Sequence, residues 1–457
     1  MQKKKIAVLG GAISGCGSAI LAAQKGFEVF LSDAGRIADK YRQMLESHDI
    51  PYEEGGHTPE LILDASEVVK SPGIPDTAPM VQLIREKGIP VISEIEFAGR
   101  YIDGAKTVCI TGSNGKTTTT SLIYAIMRDA GVNVALGGNI GESFALSAAR
   151  GGYDMYVLEI SSFQLDGMYD FRADVAVLMN ITPDHLDRYD HCFQNYVDSK
   201  MRITRNQGAG CSFVYSADDE VIAAELARCS GGMSRLPFTL AKADGAPGAG
   251  MGENGVFIAK AGGRSVEIDT SKMQLKGPHN TYNAMAAALA ALAAGIDEHS
   301  IRESIYRFAP VEHRLEPVCE IDGVVWINDS KATNVDSVKY ALQSMTRPTV
   351  WIAGGTDKGN DYQPLKELAA AKVHTLVCMG VDNRKLVESF TGVVPAVVDT
   401  SSLDQAMKAA RAAARSGDAV LLSPACASFD LFKNYEHRGQ MFKQWLAQQQ
   451  NDDGPNG

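Results

Sequence analysis

Eight residues, Thr111-Gly112-Ser113-Asn114-Gly115-Lys116-Thr117-Thr118, constrain this 457-residue chain more than any others. They lie between an apolar run at 106–110 that reads as a strand and a helical stretch at 117–128. Small residues at 112 and 115 let backbone N–H groups wrap a phosphate at a helix N-terminus. Lys116 adds a point charge there, and the Thr117 hydroxyl is of the kind that ligates Mg²⁺. Strand, loop and helix in this order imply a phosphate-loop domain built on a mostly parallel sheet. Ile110 stands where the long form of the motif has glycine, so the match is to the shortened Gly-x-x-Gly-Lys-Thr form.

The next strand, 155–158, runs into Glu159-Ile160-Ser161-Ser162. A carboxylate at the end of such a strand is where a phosphate-loop enzyme holds its magnesium; the alternative is an edge glutamate without a task. The strand after it, 175–179, ends in Asn180-Ile181-Thr182-Pro183-Asp184-His185-Leu186-Asp187, where His185 is either a second ligand or a structural histidine after a turn. Lys200, in Tyr196-Val197-Asp198-Ser199-Lys200, reads by itself as part of a solvated helix face. Residues 282–294 read as a buried alanine-rich helix. Residues 230–255, where glycine, alanine and proline collect, read as a flexible surface excursion.

The flanking segments alternate strand and helix. At the start, 6–9 reads as a strand, 10–17 as a glycine-rich turn, 18–25 as a helix and 28–32 as the next strand, ending at Asp33. Ala12 occupies the place of the second glycine in a dinucleotide fingerprint, so that match is loose. Asp33 either holds a ribose or closes a turn. Beyond 311, strands at 324–328, 349–353, 374–379, 396–399 and 419–422 alternate with helices such as 365–371 and 403–415. Three polar loops, at 328–334, 354–359 and 423–430, follow strands of that segment, at the carboxyl ends where open α/β sheets bind ligands.

At about 150 residues per domain the length suits three domains. The division read here is a Rossmann-like domain at 1–93, a phosphate-loop ATPase domain at 94–310 and a second Rossmann-like domain at 311–457. Hydrophobic residues make up 45% and charged residues 22%, which excludes a disordered, collagen-like or coiled-coil chain. A net charge of -11 disfavours a protein that coats nucleic acid, so any anionic ligand must be met by local basic groups. The longest apolar run, 284–294, is far short of the roughly 18–20 residues that span a bilayer. No long apolar segment precedes the first strand. The eight cysteines form no Cys-x-x-Cys pair and read as reduced thiols. The expectation is a soluble, cytoplasmic protein, monomeric for want of an exposed heptad, that inserts in no membrane and binds no nucleic acid.

The phosphate loop, Glu159-Ile160-Ser161-Ser162-Phe163-Gln164-Leu165, the segment from Asn180 to Asp187, Lys200, His279-Asn280-Thr281-Tyr282-Asn283-Ala284, Glu312-His313-Arg314-Leu315-Glu316 and Asp329-Ser330-Lys331-Ala332-Thr333-Asn334 together resemble the Mur ligases. These are ATP-dependent amide ligases of peptidoglycan precursor synthesis. The likeness runs through essentially the whole chain in the same order. The third segment, with Ser423-Pro424-Ala425-Cys426-Ala427-Ser428-Phe429-Asp430, is similar to the members that add D-glutamate to UDP-N-acetylmuramoyl-L-alanine.

The resemblance implies roles residue by residue. Gly112, Ser113, Asn114, Gly115, Lys116, Thr117 and Thr118 would cradle ATP, with Asn280, Asn283, Arg314 and Asp329 also contacting the nucleotide. Thr117 and Glu159 would hold one Mg²⁺, and His185 with Lys200 a second, the family's matching lysine being carbamylated. Ser14, Gly15, Asp33, Arg36, Ser71, Pro72, Gly73 and Asn139 would hold the UDP substrate. Lys331, Thr333, Lys358, Ser428 and Tyr435 would surround D-glutamate. The first-domain turn departs from the pattern in its glycine placement and by one extra spacer before Arg36, and Tyr435 stands where a phenylalanine is common. Other Mur ligases and folylpolyglutamate synthase remain rival readings, as do a nicotinamide oxidoreductase and a non-catalytic nucleotide-binding regulator.

Overall fold

A computed structural model describes residues 4–229, 231–243, 245–309, 312–357 and 359–452. Its strands form three sheets, of five, nine and six strands. The chain divides into two compact units, one of 1–273 with 281–308 and the other of 274–280 with 309–457.

The first unit contains two sheets. Strands β1 (Lys5–Leu9), β2 (Glu28–Asp33), β3 (Tyr52–Glu54), β4 (Glu67–Lys70) and β5 (Val91–Ile92) lie in the order β3-β2-β1-β4-β5, all parallel. That order is Rossmann-like, with the switch point beside β1. The glycine-rich turn is shorter than its composition suggests, because the helix Ile13–Gln24 already begins at Ile13. Gly15 and Gly17 are therefore helical. A Cβ on Gly15 would lie 1.8 Å from the Gly10 carbonyl oxygen, and one on Gly17 would lie 2.0 Å from Ser143 Oγ, so these glycines permit close packing.

The second sheet comprises β6 (Lys106–Thr111), β7 (Val134–Gly138), β8 (Met155–Glu159), β9 (Val175–Leu178), β10 (Ser212–Ser216), β11 (Ser234–Lys242), β12 (Gly248–Met251), β13 (Val256–Ala261) and β14 (Arg264–Asp269). They run β14-β13-β12-β11-β10-β9-β6-β8-β7 and are parallel except where β13 meets β12 and β14. Here the reading of 230–255 as a surface excursion is corrected. Leu236 and Phe238 of β11 are buried, and β11 pairs with β10 along five residues. Glycine and alanine in this stretch hid a strand because burial is set by the neighbouring strands and not by local composition.

The second unit holds β15 (Glu316–Ile321), β16 (Val324–Asn328), β17 (Thr349–Ala353), β18 (Val373–Met379), β19 (Ala396–Thr400) and β20 (Ala419–Leu422). Their order is β15-β16-β20-β17-β18-β19, parallel but for the β15–β16 edge pair. Helices cover both faces of this sheet, burying Trp351 and Phe390 on one side and Trp326 and Phe442 on the other. Of the described residues, no helix is long and apolar enough to cross a membrane.

Candidate active site

Strand order places the chemistry of the first unit. Strand β6, which leads into the phosphate loop, is flanked by β8 and β9, with Ile110 beside Glu159 and Thr111 beside Leu178. The loop, the strand-end glutamate and the Asn180 segment therefore emerge at one edge. Gly115 is left-handed at φ 82° and caps the helix Lys116–Asp129. A Cβ on Gly115 would stand 2.7 Å from Asn283 Oδ1, so Asn283 closes against the loop where only glycine fits. Thr117 to Thr120 are buried in the first turns of this helix despite their poor intrinsic preference for it. Packing on the sheet holds them there.

The loop is braced from β9. Asn180 accepts from Asn114 N at 2.8 Å and donates to Asn114 O, while its own carbonyl accepts from Ser113 N. Ser113 Oγ donates to Thr182 O at 2.8 Å and lies 3.0 Å from the Tyr196 hydroxyl. Lys116 Nζ spans the loop, donating to the carbonyls of Gly112 and Ser113. Asn180, Thr182 and Tyr196 were not singled out by sequence reasoning. Asn180 and Thr182 lie in the polar segment that follows β9, where local sequence does not distinguish a bracing side chain from a turn residue.

Glu159 is buried at the end of β8 and accepts from Asn139 Nδ2 at 2.8 Å. A capping box between Ser161 and Gln164 fixes the turn that follows. Lys200 overturns its reading as a solvated lysine. It is 2% exposed, with Nζ 3.4 Å from Thr111 Oγ1 and 5.0 Å from the Tyr196 ring centroid. Burial, then the Lys116 charge, hold its pKa well below the ordinary lysine value, although Asp184 and Glu159 oppose this. A lysine so placed gives up its proton more readily than one in solvent. His185 is left-handed at φ 53°, exposed, and packs edge-on against Phe163. Its Nε2 lies 3.6 Å from Asp184. Buried Thr117 and Glu159 offer the hard oxygen donors that suit magnesium.

In the turn after β2, Asp33 accepts from Gly11 N at 2.6 Å and from Gly35 N at 2.7 Å, so its carboxylate ties the glycine turn to the strand end. Ser14 lies in the first turn of the helix Ile13–Gln24, where its carbonyl accepts from Ser18 Oγ at 2.8 Å. Ser71 Oγ is buried with no hydrogen-bond partner among the described residues, close to Gly10. A Cβ on Gly73 would meet nothing, and Arg36 is exposed beside Asp39. Pro72 lies between Ser71 and Gly73 in the same loop after β4.

The second unit gathers its own polar loops. Asp329 is buried, accepting from Ser423 Oγ at 2.7 Å and from Leu315 N at 3.2 Å, and burial pushes its pKa up to about 7 against the pull of Arg314 and Arg438. Asn280 donates to the Lys276 carbonyl. Lys331 lies over the Tyr435 ring at 5.2 Å, Thr333 N donates to Lys331 O, and Ser428 is buried in the loop after β20. Lys358 lies outside the described residues. Glu312, His313 and Glu316 cluster closely, but Lys443 pairs with both glutamates.

A phosphate-loop helix facing a buried strand-end carboxylate and a buried lysine defines the class: a phosphate-loop enzyme, with a second α/β unit beyond it in the chain. Family models match "MurD N-terminal domain" at 17–80, "Mur ligase middle domain" at 110–291 and "Mur ligase, glutamate ligase domain" at 313–426. The chain belongs to the Mur ligases, a family of ATP-dependent ligases. It is 53% identical over 447 residues to the UDP-N-acetylmuramoylalanine–D-glutamate ligase of Bacteroides fragilis, covering 97% of this chain and all of that one. It is 50% identical to the ligase of the same name from Porphyromonas gingivalis, over 96% of this chain and 98% of the other. Among solved structures, UDP-N-acetylmuramate-alanine ligase from Thermotoga maritima shares the fold with a TM-score of 0.62 at 17% identity, over 97% of this chain and 99% of that one. FolC of E. coli does so at 0.57 and 17% identity, over 78% of this chain and 93% of that one.

Proposed function

We propose that this chain joins D-glutamate to UDP-N-acetylmuramoyl-L-alanine with cleavage of ATP to ADP and phosphate, in peptidoglycan precursor synthesis. The observation that carries the reading is 53% identity across 97% of the chain to a ligase of that name. The braced phosphate loop with Glu159 and Lys200 beside it is the chemistry such a ligase requires.

An amide does not form in water from a carboxylate and an ammonium, so the carboxylate must first become an electrophile. The alanyl carboxylate oxygen attacks the γ-phosphorus of ATP, forming an acyl phosphate and releasing ADP. The amine of D-glutamate, having lost its proton, then attacks the acyl carbon, and the C–O bond to phosphate breaks as the amide forms. Two anions meet in the first step, and Lys116 offsets their repulsion as a fixed cation at the loop. Thr117 and Glu159 would hold one Mg²⁺, and His185 with carbamylated Lys200 a second; the ions supply charge neutralisation at the transferred phosphoryl group. Gly112, Ser113, Asn114, Gly115, Thr118, Asn280, Asn283, Arg314 and Asp329 hold the nucleotide. Ser14, Gly15, Asp33, Arg36, Ser71, Pro72, Gly73 and Asn139 hold the UDP substrate, and Lys331, Thr333, Lys358, Ser428 and Tyr435 the acceptor.

The same reading divides the labour among domains at 1–93, 94–310 and 311–457, in a monomer working in the cytoplasm. The test is phosphate release with ATP, Mg²⁺ and UDP-N-acetylmuramoyl-L-alanine, comparing D-glutamate with L-glutamate, L-alanine and meso-diaminopimelate. Release with D-glutamate alone is expected. Release with a different amino acid moves the specificity within the family, and none with any acceptor overturns the reading.

A further inference from the structure

The side chain of Arg438 has no solvent exposure, although arginine is among the residues costliest to bury. It stands in the first turn of the helix Tyr435–Asp452 and spends its planar fork of donors on three separate loops. Nε donates to Ser330 Oγ at 3.0 Å and Nη2 to Ser330 O at 2.9 Å. Both terminal nitrogens reach Cys426 O at 3.2 Å, and Nη1 reaches Gly354 O at 3.4 Å. These carbonyls belong to the loops after β16, β20 and β17, adjacent strands of one sheet.

The loops are shaped to meet the guanidinium. Gly354 and Gly355 have φ of 129° and 131°, and a Cβ on Gly355 would lie 2.2 Å from Ala427 O and 3.3 Å from Arg438 Nη1. Ser330 Oγ, while accepting from Arg438, donates to Tyr435 O at 2.8 Å. One residue further on, a Cβ on Gly439 would strike His313, whose own carbonyl accepts from Lys331 N at 3.1 Å. Burial lowers the pKa of Arg438 only to about 10, so it remains a cation at neutral pH, facing Asp329 and Asp430.

We infer that Arg438 is the positioning residue of the amino-acid acceptor pocket, fixing the spacing of three strand-end loops, two of which carry Lys331, Thr333 and Ser428. The inference rests on the assignment of those loops to the acceptor in the proposed function. Arg438 itself touches no substrate. Lysine in its place keeps the charge but, as a point donor, cannot span three loops.

The experiment compares full-length wild type with Arg438→Lys and Arg438→Met, recording thermal melts and separate KM values for ATP and for the acceptor that wild type selects. The expected result is a rise of about tenfold or more in acceptor KM for both variants, with ATP KM within about twofold. An acceptor KM unchanged in a variant that melts cooperatively overturns the inference, as does an equal rise in both KM values. Should both variants fail to fold, Ser330→Ala removes only the hydroxyl junction and is expected to raise acceptor KM about threefold; an unchanged KM with a lowered melting temperature overturns it. Selection of an acceptor other than D-glutamate by wild type defeats the functional reading alone, since the KM comparison then runs with that acceptor.

Discussion

At the residue scale, charge and burial act together at a few side chains. Lys116 is the one loop cation that reaches across the phosphate-binding turn, to Gly112 O and Ser113 O. Lys116→Met is expected to lower kcat by about 10²–10⁴-fold while leaving the melting temperature little changed, measured by phosphate release and thermal scan. Asp329 supplies a pH signature. Its folded pKa is raised to about 7 by burial, against roughly 3.9 in an unfolded chain, so the folded state holds this proton more tightly. The stability from that proton is fully present below about pH 4 and is lost as pH rises through about 7. Asp329→Asn is expected to flatten the fall in melting temperature between pH 5 and pH 8 relative to wild type; parallel profiles would contradict the assignment. Most of these residues were legible as candidates because they stood at strand ends in polar loops. Arg438 was not, since nothing in Tyr435-Glu436-His437-Arg438-Gly439 distinguishes an arginine pinned under three loops from one in solvent.

At the scale of elements, periodicity located strands well where apolar residues were dense. The strands Val324–Asn328, Thr349–Ala353 and Ala419–Leu422 fall where the sequence places them. It failed where small residues serve packing. The turn at Gly10 gives way to helix earlier than its glycines suggest, and β11 and β12 were hidden among glycine and alanine. Phe238, with no exposure, distinguishes the two accounts. Phe238→Ala is expected to cost about 3–5 kcal/mol in chemical denaturation, whereas a residue in a solvated excursion would change stability by under about 0.5 kcal/mol.

At the scale of the whole molecule, the chain divides into two compact units, and all three tryptophans, Trp326, Trp351 and Trp445, lie in the second. Tryptophan fluorescence therefore follows that unit alone, while far-ultraviolet circular dichroism follows both. Chains of several domains commonly depart from two-state unfolding. The two probes are expected to give different midpoints in a urea titration; coincident curves would show that the units unfold together.

The sequence by itself determined the α/β class, the phosphate loop and the family, because those depend on local patterns of glycine, lysine and strand-ending polar residues that are read in chain order. Only the tertiary structure decided that Lys200 is buried against Thr111 and Tyr196, that Asn180 and Thr182 brace the loop, and that Arg438 gathers three strand ends. Those are contacts between residues far apart in the chain, where burial and partners are set by the order of strands in a sheet.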